Sequence, residues 1–327
     1  MAYPRLRILP TTVRPGDLRG LPLANGNVDR FGRRIDYMRI SLTDRCNLRC
    51  VYCMPAEGVA LGPKDALLRH DEIVRVAGAA LSLGFRKFRL TGGEPLVVRD
   101  IVPLVARLRE ATRGARLGLT TNAVRLAVLA APLRAAGLES VNISLDTLRP
   151  ERFLAMTRRD ELAAVLAGIE TALACFPRVK LNCVVVPGVN DDELEALAAL
   201  AVDRPLQVRF IEAMPLDGQA DGGFLGADAI VDRLGRAFPL AAKAPEDPRD
   251  AAHRLFTAPG WAGAVGVIAP RSQKFCASCN RLRLTPHGEL KGCLLAEGTL
   301  DLRTPLREGL NDTELDMLLR YAIGIKP

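Results

Sequence analysis

Eight cysteines stand in the 327-residue sequence, and six of them fall into two groups of three. The first group is Cys46-Asn47-Leu48-Arg49-Cys50-Val51-Tyr52-Cys53, a C-x3-C-x2-C spacing directly after Thr43-Asp44-Arg45. Three thiolates on one short segment can hold three corners of a [4Fe–4S] cubane and leave the fourth iron open to a non-protein ligand. A structural zinc ion asks for four protein ligands, and this segment offers three. The second group, Cys276, Cys279 and Cys293, has the spacing C-x2-C-x13-C and again supplies three ligands, as a second [4Fe–4S] cluster would need. Cys175 and Cys183 lie at no ligand spacing from a partner and read as buried apolar side chains. Disulfides are not expected in a chain of this size that shows no secretory leader.

Ligands of this kind need a rigid frame. From residue 37 onward, apolar β-branched stretches alternate with Ala/Leu-rich stretches of helical spacing, the pattern of βα units on a parallel sheet. Strands are predicted near 37–43, 87–91, 116–121, 140–146, 179–186 and 206–212, and helices around 71–83, 100–111, 125–136, 160–174 and 191–201. Acidic residues open several helices, as in Asp71-Glu72 and Asp191-Asp192-Glu193, which suits a helix N-terminus. Six βα units fall short of the eight that close a TIM barrel, so the expected fold class is α/β, a partial, open (β/α)6 TIM-like barrel. Residues 1–36 read as an irregular N-terminal extension and 37–215 as the barrel. Residues 216–327 read as a C-terminal region that carries the second cysteine group and covers the barrel mouth. Within that region a short apolar segment at 264–269 and a helix near 312–322 are expected.

Hydrophobic residues make up 49% of the chain and charged residues 25%, the balance of an ordinary globular protein with a substantial core. No apolar run approaches the roughly 20 residues that cross a bilayer. The N-terminus has no apolar centre for a secretory signal, and Asp17, Asp29 and the lack of serine argue against a transit peptide. A cytoplasmic protein without a membrane partner is expected. The formal charge of +8 comes from 45 basic and 37 acidic residues. The cations are dispersed and aromatics are few, so nucleic acid is not the expected partner. A polyphosphate substrate, or simply a basic surface, accounts for the charge.

The C-x3-C-x2-C spacing with an aromatic residue, Tyr52, before the last cysteine resembles radical S-adenosylmethionine enzymes. Thr91-Gly92-Gly93-Glu94-Pro95, at the end of the second strand, resembles their GGEP motif. The resemblance implies a barrel of the radical SAM type and an open iron that chelates the methionine amino and carboxylate groups. Reductive cleavage then frees a 5′-deoxyadenosyl radical, and Glu94 is expected to accept from the methionine amino group. The segments VDRFGR, RISLTDRCNLRCVYCMP, RLTGGEPL, GLTTN, VNISLD, VRFIEAMP and FCASCNRLRLTPHGELKGCL together resemble one branch, the GTP 3′,8-cyclase family (molybdenum cofactor biosynthesis protein A), from Asp29 to Tyr321. That branch implies a lyase that turns GTP into 3′,8-cyclo-7,8-dihydro-GTP, the first step of molybdenum cofactor biosynthesis. Hydrogen is abstracted from C3′ of the ribose, and the C3′ radical attacks C8 of guanine.

Residue by residue, the resemblance implies a first [4Fe–4S] cluster on Cys46, Cys50 and Cys53 and a second on Cys276, Cys279 and Cys293, the latter meeting the guanine ring. It assigns S-adenosylmethionine to Tyr52, Gly93, Ser144 and Met214, although Met214 by spacing alone reads as core filling. It assigns GTP to Arg39, Arg89, Thr120, Lys180, Arg281 and Arg283. Arg281 and Arg283 alternate with Leu282 and Leu284, so an extended segment points both guanidiniums to one side, where they suit phosphate. Implied partners are GTP, an electron donor such as flavodoxin or ferredoxin, and a downstream cyclic pyranopterin monophosphate synthase; a homodimer is compatible with the pattern. The family's chains end in a Gly-Gly tail held to reach the active site, whereas this sequence ends at Ile325-Lys326-Pro327, so binding with weak turnover is expected of it. Two other readings stay open: a radical SAM peptide-modifying enzyme with an auxiliary cluster, and a zinc-stabilised nucleic-acid-binding module. A brown protein with about eight irons favours two clusters, and a colourless zinc protein favours the module.

Overall fold

Each expected strand is present, and the helices between them bury the stripes that their spacing announced. The computed structural model describes residues 23–58, 62–214, 223–247, 249, 254–295 and 298–327. In chain order the barrel elements are β1 (Tyr37–Ser41), α1 (His70–Ser82), β2 (Lys87–Thr91), α2 (Ile101–Ala111), β3 (Arg116–Thr121), α3 (Leu126–Ala135), β4 (Ser140–Ser144), α4 (Pro150–Thr157), α5 (Leu162–Cys175), β5 (Arg178–Val185), α6 (Leu194–Ala199) and β6 (Leu206–Glu212). There follow α7 (Ala227–Ala237), β7 (Ala241–Lys243), β8 (Arg254–Thr257), β9 (Ala264–Ile268), β10 (Arg281–Leu284), β11 (Glu289–Lys291), β12 (Leu300–Asp301), α8 (Arg303–Arg307) and α9 (Asp312–Gly324).

All the strands join one sheet in the order β12-β11-β10-β1-β2-β3-β4-β5-β6-β9-β8-β7. From β10 to β9 every neighbour is parallel. Its first and last strands are not neighbours in that order, so the barrel is open, as expected from six units. The C-terminal region adds to the expectation. It extends the sheet at both edges, with β10 beside β1 and β9 beside β6, rather than only lying over the barrel.

Strand alternation sorts the side chains into two layers. Met38, Ile40, Phe88, Leu90, Leu117, Leu119, Val141, Ile143, Val208 and Phe210 are fully buried on one face. The stripes Ile73, Val76, Ala77, Ala80 of α1 and Ile101, Leu104, Val105, Leu108 of α2 belong to the same core. Each large side chain there contributes roughly 1.5–3 kcal/mol by leaving water. The alternate residues, among them Arg39, Arg89, Asn142, Lys180 and Arg209, line a cavity on the other face.

Several features were not expected. The short helix α4 precedes α5, the hairpin β7–β8 and helix α7 occupy the Gly- and Pro-rich stretch, and β11–β12 continue the far edge. The described part of the N-terminal extension is also not irregular. Val28 bridges Asn25 and Arg34, and Ala24 exchanges hydrogen bonds with Arg320 of α9. The expected boundary at 215/216 lies outside the described residues. No helix among the described residues is long and apolar enough to cross a membrane.

Candidate active site

The first cysteine triad occupies the turn after β1, beyond the C-terminal ends of the parallel strands, where barrel sites form. That turn is held by α4. Arg49 N and Val51 N donate to Thr157 O and Met156 O at 2.9 Å each. Arg158, left-handed at the end of α4, donates from Nη1 to Arg49 O at 2.9 Å and Met54 O at 3.2 Å. Cys46 Sγ accepts from Leu48 N at 3.4 Å and has Asn122 Nδ2 at 3.9 Å. Three thiols on one turn, with N–H groups aimed at a sulfur, fit an iron–sulfur cubane. Among the described residues no three His, Cys, Asp or Glu side chains converge at the spacing of a single ion.

The Gly-Gly turn after β2 lies directly under this segment. Gly93 N donates to Thr43 O and Glu94 N to Arg45 O, each at 2.7 Å. A Cβ on Gly93 would stand 2.2 Å from Arg45 O, so what the glycine admits is the backbone leading into the cysteines. Glu94 is 1% exposed, and its carboxylate accepts from Leu96 N at 2.9 Å, Thr121 Oγ1 at 2.6 Å and Asn122 N at 2.6 Å. In this geometry Glu94 ties β2 to β3.

Tyr52 donates to Asp146 Oδ2 at 2.5 Å, while Asp146 Oδ1 accepts from Val184 N at 2.8 Å. Burial pushes the Asp146 carboxyl up to about 6 against the lowering effect of those two donors, and burial with the Asp146 charge holds the Tyr52 phenol well above its usual range. Tyr52 is thus a protonated donor locked in one orientation. Ser144 ends β4 two residues before Asp146, and Met214 follows β6. At the end of β6, Glu212 is fully buried and accepts from Ala227 N and Arg271 N at 2.8 Å each, and from Ser272 N at 3.0 Å, which fixes the start of α7 and the loop after β9.

The second triad lies at the opposite end of the strands. Cys276 and Cys279 come just before β10, which runs parallel to β1. The antiparallel return of β11 brings Cys293 back to that same end. All three cysteines line a cavity of about 260 Å³, together with the predicted residues Arg39, Arg89, Lys180, Arg281, Arg283 and Met214. Lys87, Arg209 and Lys274 line it too, and none of its described lining residues is acidic. Crowding shows in the guanidiniums. Burial, then the Arg39 and Arg281 charges, bring Arg283 down to about 10, and burial also lowers Arg39. A polyanion relieves this repulsion.

Arg89 is held by three hydrogen bonds. It donates from Nη1 to Leu119 O at 2.7 Å, from Nε to Tyr37 Oη at 3.1 Å and from Nη2 to Ser140 Oγ at 3.2 Å. Gly118 makes room for it, since a Cβ there would stand 2.7 Å from Arg89 Nη2. Thr120 does not line the cavity, but it pairs in register with Asn142, which does. Thr120 Oγ1 and Asn142 Oδ1, like Asn280 Oδ1, are buried with no hydrogen-bond partner among the described residues. Tyr52, Gly93, Ser144 and the first triad lie outside this cavity's lining.

Sequence reasoning missed Asn142, Arg209 and Tyr37. Each sits two residues from a residue that it did select or in the same alternation, and a polar residue at an inward strand position was the available signal. Tyr37 has the most direct consequence. Burial works to raise its phenol, but the charges of Arg89, Arg39, Lys87 and Arg281 bring it down to about 7. The unfolded value is about 10, so the folded chain gives up this proton first. Its stabilising contribution is present above about pH 10 and is lost as pH falls through about 7. Melting temperatures of nucleotide-free protein, relative to a Tyr37→Phe variant, are expected to rise between pH 7 and 10. Parallel profiles for the two proteins would remove Tyr37 from the titration.

A partial parallel barrel with a cysteine triad after its first strand defines a radical SAM protein, and a profile of the Radical SAM superfamily matches residues 40–201. A Molybdenum Cofactor Synthesis C profile matches residues 206–327. The chain is 46% identical over 310 residues to a GTP 3′,8-cyclase of Heliobacterium modesticaldum, covering 92% of this chain and 93% of that one. It is 44% identical over 301 residues to molybdenum cofactor biosynthesis protein 1 of Homo sapiens, covering 91% of this chain and 47% of that one. The chain belongs to the GTP 3′,8-cyclase family. Among solved structures it is similar in fold to methylornithine synthase (PylB), with a TM-score of 0.51 at 17% identity over 90% of this chain and 88% of that one. Streptococcus suis SuiB bound to S-adenosylmethionine gives a TM-score of 0.54 at 13% identity over 81% of this chain and 61% of that one.

Proposed function

We propose that this chain converts GTP into (8S)-3′,8-cyclo-7,8-dihydroguanosine 5′-triphosphate, the first step of molybdenum cofactor biosynthesis. The observation that carries the reading is the cavity, which is rich in cations, has no acidic lining residue among those described, and is bounded by the second cysteine triad. A nucleoside triphosphate matches it, with phosphates on the guanidiniums and a base at the cysteine end.

Cys46, Cys50 and Cys53 would hold the first [4Fe–4S] cluster, and Cys276, Cys279 and Cys293 the second. When bound, the first cluster and S-adenosylmethionine supply the hydrogen-abstracting radical. The chain's own residues orient and enclose. Tyr52, fixed by Asp146, and Gly93, Ser144 and Met214 shape the S-adenosylmethionine site. Arg39, Arg89, Lys180, Arg281 and Arg283 neutralise the triphosphate, with Thr120 and Asn142 as polar contacts. In this reading residues 37–215 are the radical SAM barrel and 216–327 the region that carries the second cluster. An electron donor such as flavodoxin or ferredoxin and a downstream cyclic pyranopterin monophosphate synthase complete the sequence of reactions, in a cytoplasmic setting; the reading is compatible with a homodimer.

Anaerobic incubation of reconstituted protein with S-adenosylmethionine, dithionite and GTP is expected to yield the cyclised nucleotide by mass spectrometry. Released 5′-deoxyadenosine with neither binding nor conversion of GTP would refute the substrate. Arg281→Ala and Arg283→Ala should each weaken GTP binding with iron content unchanged. A charge-assisted hydrogen bond contributes roughly 1.5–3 kcal/mol, or about one to two decades in affinity. Unaltered titrations for both variants would take these arginines out of the site.

A further inference from the structure

After α9 the chain passes back over the second triad. Lys326 is 2% exposed there, and its ammonium donates to Gly292 O at 2.5 Å and to Cys279 Sγ at 3.5 Å. Gly292 precedes Cys293, and a Cβ on it would stand 3.1 Å from Pro327 Cδ and 3.2 Å from Lys326 Cα, so glycine permits this approach. Arg33 closes the other side. It donates from Nη1 to Cys276 O at 2.8 Å and from Nη2 to the Pro327 backbone oxygen at 2.7 Å, and its Nε is held by Asp29 Oδ2 at 2.6 Å. The Asp29–Arg33 turn and the Lys326–Pro327 segment therefore clamp the triad from two distant parts of the sequence.

The two cations differ in one respect. Arg33 has a carboxylate partner in Asp29, whereas the acceptors of Lys326 are a carbonyl and a sulfur. A buried ammonium is costly unless negative charge lies near it. The thiolates of a bound cluster supply that charge, since three thiolates outweigh the cubane's own positive charge and reduction adds one more negative charge. Fixed charge and N–H donors at cluster sulfurs are what set a reduction potential.

We propose that Lys326 is a positioning residue for the second cluster: its ammonium, fixed against the Cys279 sulfur, stabilises the reduced state and raises that cluster's reduction potential. This rests on the reading that Cys276, Cys279 and Cys293 hold a [4Fe–4S] cluster. The test uses the full chain with Cys46, Cys50 and Cys53 changed to Ala, so that the second cluster alone is titrated with dithionite and followed by electron paramagnetic resonance. In this background about four irons per chain are expected; near-zero iron would refute the second cluster itself, apart from any role of Lys326.

With iron retained, Lys326→Met should shift the midpoint to more negative potential, and Lys326→Arg should return it toward the parent. Lys326→Gln, which keeps N–H donors without the charge, should shift it as Met does. An unchanged midpoint in either neutral variant, even with lowered thermal stability, would overturn the proposal, because a merely structural lysine alters retention and not potential. If both neutral variants lose their iron, retention in Lys326→Arg supports the charge, and loss there as well overturns it.

Discussion

Changing Cys50 to Ala is expected to reduce S-adenosylmethionine cleavage to background, whereas changing Cys279 to Ala should leave cleavage detectable and stop GTP conversion. The division follows from the ends of one sheet. Cys50 lies on the turn after β1, held there by Met156, Thr157 and Arg158 of the α4 end. Cys279 precedes β10 at the start of the strands and lines the basic cavity. A cubane that loses one of three thiolates loses a corner that neither neighbouring residue can replace, since Arg49 and Val51 offer no soft ligand. Damage at one end should therefore leave the other end loaded. Iron per chain, released 5′-deoxyadenosine and cyclised nucleotide are measured on each variant. Normal cleavage by both variants would show that the two triads do not divide the chemistry in this way.

The sequence made the frame legible where the information is local. The six barrel strands and helices α1, α2, α3 and α5 follow from alternation and helical spacing, and each begins or ends within a few residues of its expected bounds. The cysteine spacings are local too, as is the Gly-Gly turn. Pairing across long separations was not legible. Nothing in Arg281-Leu282-Arg283-Leu284 says that it lies beside β1, yet the Tyr37↔Arg281 and Arg39↔Arg283 register is what gathers the cations. The contacts that orient the site span similar distances: Tyr52 to Asp146, Arg158 to Arg49, Lys326 to Cys279. Helix α4 was missed because eight residues give too few turns for a periodic signal, and α7 because glycines surround it.

The glycine at position 93 should be the least replaceable residue of the Gly-Gly turn. In Gly93→Ala the new methyl carbon would meet Arg45 O at 2.2 Å, Arg45 C at 2.6 Å and Asp44 O at 2.8 Å, all of them backbone atoms. No flexible side chain can give way, so either the turn retreats or the segment entering Cys46 is pushed out. Retreat breaks the bonds from Gly93 N to Thr43 O and from Glu94 N to Arg45 O. Two hydrogen bonds at about 0.5–1.5 kcal/mol each, with overpacking at about 1–3 kcal/mol, give an expected loss of about 2–6 kcal/mol. Gly78 is the control. It lies inside α1, and a methyl carbon there would meet nothing within 4 Å, so Gly78→Ala should be neutral or stabilise by roughly 0.5–1 kcal/mol. Denaturant unfolding of the two variants measures the difference, and iron content locates it. Gly93→Ala should fall from about eight irons per chain toward about four, because the displaced segment carries the first triad while the second lies at the far end of the strands. A Gly93→Ala protein with wild-type stability and full iron would mean that the cysteine segment does not rest on this turn.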